Sequence, residues 1–170
     1  MNLPICGFDA KNSVLCPQCE TKLEDGILTN ADVDAAIKIA GLAKNNKEIS
    51  RFTLLSCREI KGQLVITLSR KDIMTIRNSN TLYGLLEKEF NQKIWLVDED
   101  WNSENFIRNL FFPIKILSVN MVWEPHGTQK IRVIISGRHT PKFPIDIDKV
   151  IEIVKTAKNL DMDITFEDKR

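Results

Sequence analysis

The sequence predicts an α+β fold built from two similar units behind a small cysteine-bearing segment. Three observations carry this expectation. An order of helix, strand, strand, short helical turn, helix and strand spans residues 29–98, and nearly the same order recurs over 103–167. Helical stretches repeat apolar residues three to four apart, whereas the strands are short runs rich in Ile, Leu, Val and Thr. Cys6, Cys16 and Cys19, three of the four cysteines, cluster ahead of the first unit among Pro and Gly breakers. The expected organisation is a cysteine knuckle at 1–28, an α-β-β-α-α-β unit at 29–100 and a second such unit at 101–170. Single helices alternating with adjacent antiparallel strands exclude a doubly wound parallel sheet.

Each element has a local cause. Pro4, Gly7, Pro17 and Gly26 argue against regular structure in the first segment. Thr29 followed by Asp32 reads as a helix cap, and Val33, Ala36, Ile37 and Ala40 continue as a helical stripe toward Asn45-Asn46. Residues 51–60 and 63–69 pair as a hairpin across Lys61-Gly62, and 71–77 is a short helix. Asn78-Ser79-Asn80 breaks it, and Thr81 is the expected cap of the helix at 82–90. Residues 93–97 return as a strand, and the acidic turn 98–101 is the expected boundary. Ser103-Glu104-Asn105 opens a helix that must stop before Pro113. Strands at 115–123 and 130–136 flank the turn Pro125-His126-Gly127, and 137–144 is irregular. A helix at 146–159, with Ile147, Val150, Ile151 and Val154 inward, precedes a last strand at 162–166.

Composition narrows the function. An apolar fraction of 43% excludes wholesale disorder, and a formal net charge of +1 excludes a strongly basic, tail-driven nucleic-acid binder. No apolar run approaches the roughly 20 residues that span a bilayer, and Met-Asn-Leu-Pro-Ile-Cys is unlike a secretory leader. A cytoplasmic protein without a membrane partner is expected. Local charge is uneven: no acid occurs from Pro125 to Ile145. On the strand at 130–136, Lys130 and Arg132 share a face and Ile131, Val133 and Ile135 take the other. A basic stripe over an apolar floor suits phosphates and stacked bases, and it also suits a solvated outer face.

Cys16-Pro-Gln-Cys19 has the spacing that lets two thiolates bind one zinc, and Cys6 is placed to be a third ligand. Cys57, Asp9, His126 and His139 are candidates for the fourth, and Cys57 is equally a small buried hydrophobe. No Walker loop, nucleophile elbow or His-Glu-x-x-His is present, so a non-catalytic protein is expected. Trp95 reads as core, Trp101 as a residue of the acidic turn and Trp123 as a surface aromatic.

Several phrases, together with the element order, resemble the archaeal NusA-like family of tandem KH proteins. They are Pro4-Ile5-Cys6, Leu15-Cys16-Pro17-Gln18-Cys19, Lys93-Ile94-Trp95-Leu96-Val97 and Asn105-Phe106-Ile107-Arg108-Asn109-Leu110-Phe111-Phe112-Pro113. The resemblance covers residues 29–167 and implies type II KH units. It also implies single-stranded RNA binding linked to transcription elongation or termination. KH units use a Gly-x-x-Gly loop so that the RNA backbone can approach a helix N-terminus. Here the corresponding stretch is Asn78-Ser79-Asn80-Thr81, without glycine, and in the second unit it falls within 137–144, where Gly137 stands alone. The residues expected at RNA are Arg70, Lys71, Arg77, Asn78, Ser79 and Asn80, then Lys130, Arg132, Arg138, His139 and Lys142. Two other readings remain open: an adaptor docking RNA polymerase or the ribosome, and a small ribonuclease using His126 and His139.

Overall fold

The computed structural model describes residues 1–100, 102–125, 127–138, 140 and 142–167; Trp101, His126 and His139 lie outside that set. The protein is α+β and divides into two compact units, Met1–Glu99 and Asp100–Arg170. The first contains α1 (Gly7–Asn12), α2 (Pro17–Glu24), α3 (Asn30–Ala43), a 3-10 turn, β1 (Leu54–Ile60), β2 (Gln63–Leu68), α4 (Arg70–Arg77), α5 (Asn80–Phe90) and β3 (Ile94–Val97). The second contains α6 (Ser103–Leu110), β4 (Ile116–Trp123), β5 (Gln129–Ser136), α7 (Ile147–Lys158) and β6 (Asp161–Glu167).

Both sheets follow one plan. The orders are β1-β2-β3 and β4-β5-β6, with the first pair antiparallel and the second parallel. A parallel neighbour requires a helical crossover, supplied by α4–α5 in one unit and α7 in the other. Both first strands also shift register at matching places, between Leu54 and Ser56 and between Ile116 and Ser118. The units differ where the second helix is expected. Among the described residues no helix lies between β5 and α7, so the order there is α-β-β-α-β. Pro144 disfavours a helix there, because it has no amide to give a helical ladder.

The hairpin turn Lys61-Gly62 has positive φ at both residues, 51° and 72°, as the two-residue connection demands. Thr29 and Asp32 form a reciprocal capping box on α3. Ser79, not Thr81, caps α5, its side chain accepting from the Leu82 amide at 3.3 Å. The first segment is not irregular, because α1 and α2 form there, with Pro17 at the tolerated first helical position. It is part of the first unit: Ile5, Ala10, Cys19 and Leu28 join Ile39, Phe52, Ile66, Leu86 and Ile94 in one core. On α7 the buried residues are Val150, Ile153 and Val154, while Ile147 and Ile151 are half-buried.

Candidate metal centre and basic surfaces

Two short helices start at the same spot. Cys6 caps α1 and Cys16 caps α2, and Asp9 and Cys19 stand three residues further on in each. That spacing brings both donors of a helix to its first turn. The ligating atoms of Cys6, Asp9, Cys16 and Cys19 all lie within 4.8 Å of one another, so the four can hold a metal ion. Asp9 is fully buried, and its Oδ2 accepts from the Cys16 amide at 3.1 Å. Its Oδ1 is buried without a hydrogen-bond partner, which costs about 1–3 kcal/mol unless something else satisfies it. A cation at the centre of the cluster would do so.

Charge within the cluster is coupled. The Cys19 thiol beside it holds the Asp9 carboxyl down at about 2, and that contact pushes the Cys19 thiol up to about 11. Cys57 is not a fourth ligand. It lies fully buried in β1, burial pushes its thiol up to about 12, and its amide donates to Asp32 Oδ1. The fourth residue able to donate is Asp9, and Cys6-x-x-Asp9 repeats the Cys16-x-x-Cys19 spacing, a signal the sequence did contain.

The first basic surface is the α4–α5 junction. Lys71, Asn78 and Asn80 are exposed, and Ser79 is half-buried as the cap. Arg70 pairs with Asp98 at 3.1 Å, and its amide donates to Glu99 at 2.7 Å. Arg77 is half-buried, and burial lowers its pKa. Asn78 has φ −83° and Ser79 φ −132°, so this turn uses no left-handed residue and has no conformational need for glycine.

In the second unit, Arg138 and Lys142 are exposed beyond Gly137, and Arg132 is exposed on β5. Lys130 is not a free cation. Its ammonium lies 2.8 Å from Asp163 and 3.7 Å from Glu124, and hydrogen bonding to Asp163 raises its pKa. The parallel register sets Lys130 beside Asp161 and Arg132 beside Asp163, so acids on β6 balance the stripe on β5. Trp95 is buried, and Trp123 is 66% exposed at the end of β4.

Among the described residues no helix is long and apolar enough to cross a membrane. No family model matches the chain, and no curated protein matches it. Among solved structures, the crystal structure of APE1850 is similar, with a TM-score of 0.51 and 17% sequence identity over 76% of this chain and 95% of that one. At that identity the likeness is one of fold.

Proposed function

We propose that the chain is a non-catalytic single-stranded RNA-binding protein of tandem KH-like units, and that its N-terminal centre holds zinc. The observation that carries the RNA reading is the α4–α5 junction. Among the described residues, six of the seven α-helices have an acid in the first turn and α5 has none. Its positive dipole end is therefore not neutralised from within, and Lys71, Asn78 and Asn80 are exposed around it. The α-β-β-α-α-β order of the first unit and its mixed sheet are what the KH resemblance implies. The likeness to APE1850 supports the fold and not the ligand.

The zinc reading rests on donor chemistry. Three thiolates and one carboxylate form a closed tetrahedral set, and a Zn–S bond near 2.3 Å puts neighbouring sulfurs about 3.8 Å apart. Donors already within 4.8 Å need little adjustment to close on one ion.

The test is fluorescence anisotropy of a labelled oligouridylate at about 50 and 200 mM salt. Wild type should bind at low salt and weaken steeply at high salt. Lys71→Glu/Asn80→Glu should weaken binding about tenfold, by reversing one charge and adding a second negative one at the junction. Absence of binding at low salt would remove the RNA reading and leave an adaptor for RNA polymerase or the ribosome. The balanced face of the second sheet favours that alternative. Shortened RNA after incubation would instead indicate a ribonuclease.

A further inference from the structure

The two helices of the metal centre do not contribute alike. Each brings two donors from its first turn, but only α2 brings two thiols. Cys16 and Cys19 are three residues apart at the start of α2, where helix geometry sets their Cα atoms roughly 5 Å apart. A disulfide accepts Cα separations of about 4.4–6.8 Å, so this pair can close with the backbone in place. Cys6 has no such partner, because the donor in its own turn is the carboxylate of Asp9.

Access differs across the cluster as well. Cys19 and Asp9 are buried, Cys16 is half-buried and Cys6 is exposed. A small solute can therefore reach the cluster from the side of Cys6 and Cys16. The Cys16 sulfur caps no amide of α2, so no helix N–H holds it away from Cys19, whose sulfur is already within 4.8 Å. The hydrogen bond from the Cys16 amide to Asp9 Oδ2, at 3.1 Å, ties α1 to the start of α2 without the help of an ion. Ala10 of α1 and Cys19 of α2 also share the core of the first unit. The two helices thus keep contacts of their own when the ion is gone, and the same four donors can be used again.

We infer that the centre is a redox switch in which hydrogen peroxide converts the Cys16 and Cys19 thiolates to a disulfide and releases the zinc. The inference rests on the zinc reading of the centre and not on RNA binding. The Cys16 thiolate attacks one peroxide oxygen, the O–O bond breaks and hydroxide leaves, giving the Cys16 sulfenic acid. The Cys19 thiolate then attacks the Cys16 sulfur, forming the S–S bond and expelling a second hydroxide. The thiol pair loses two electrons to the peroxide, and the two hydroxides take up protons from solvent as water. Cys6 and Asp9 then remain as two donors where a closed zinc site needs four. A dithiol reductant reverses the step by exchange: it leaves as the disulfide and returns Cys16 and Cys19 as thiolates.

The experiment treats the zinc-loaded full chain with hydrogen peroxide while a metallochromic dye reports released zinc. Free thiols are then alkylated and the chain is digested with trypsin. Cleavage after Lys11 and Lys22 places Cys16 and Cys19 together on residues 12–22 and Cys6 on residues 1–11. The 12–22 peptide should lose both alkylation sites and two hydrogens, with one zinc released for each disulfide formed. Dithiothreitol should restore both thiols and the uptake of zinc. Zinc that stays bound through peroxide treatment would overturn the inference and leave the zinc reading intact. A disulfide joining the two peptides, or release accompanied only by sulfinic acid, would overturn it too. A chain that binds no zinc before peroxide is added would remove the zinc reading itself, and the switch with it.

Discussion

Asp32 secures the start of α3 and the start of the sheet with one carboxylate. Its Oδ2 accepts from the Thr29 amide and hydroxyl, each at 2.8 Å, and its Oδ1 from the Cys57 amide at 2.6 Å. Asp32→Ala would remove the reciprocal half of the capping box and strand the buried Cys57 N–H. Urea unfolding should show a loss of about 2–4 kcal/mol. Asp34→Ala, which removes only an exposed pair with Lys38, should cost under about 0.5 kcal/mol. At the metal cluster, Cys16→Ser and Asp9→Ala should each reduce zinc retained through purification, measured by elemental analysis. Zinc retained at full occupancy in both variants would remove the assigned ligand set. Cys57 gives a pH signature. Its folded pKa of about 12 lies above the ordinary 9.0, so the folded state binds more protons across that window. Its contribution is complete below about 9 and is lost as pH rises toward 12, so Cys57→Ala should show a shallower alkaline loss of stability in urea melts.

Elements were legible where their causes are local. The Thr29/Asp32 box, the Lys61-Gly62 turn and the stop of α6 before Pro113 are each written within a few residues. The bulges were not. Leu54 and Cys57 are three apart yet both buried in one core, because the register shift after Leu54 changes the phase of the alternation. Nor was the neutralisation of Lys130, since Asp163 is far along the chain and becomes its neighbour only through parallel pairing of β5 with β6. Asp9 was legible as one of four candidates for the fourth ligand but was not singled out, because its place in the cluster depends on α1 and α2 starting together. The ends of α5 and α7 yield a further test. Asn91 and Asn159 hold left-handed caps, at φ 52° and 53°. Asn159→Gly should leave thermal stability level or raised, whereas Asn159→Val should lower it by about 1–2 kcal/mol through its Cβ.

For the molecule as a whole, the centre formed by Cys6, Asp9, Cys16 and Cys19 belongs to Met1–Glu99, and none of its donors comes from Asp100–Arg170. If the centre holds zinc as proposed, chelation should speed hydrogen exchange across α1, α2 and α3 and leave β4, β5 and β6 unchanged, as read by mass spectrometry of the intact chain. Equal acceleration in both halves would contradict that separation. The placement of the donors has a kinetic corollary. Each helix contributes its pair within a single turn, so unravelling either one frees half of the coordination sphere at once. Release of the ion to a competing chelator would then clock the fraying of α1 or α2. The off-rate would serve as a stopwatch on N-terminal breathing that no spectroscopic label is needed to read.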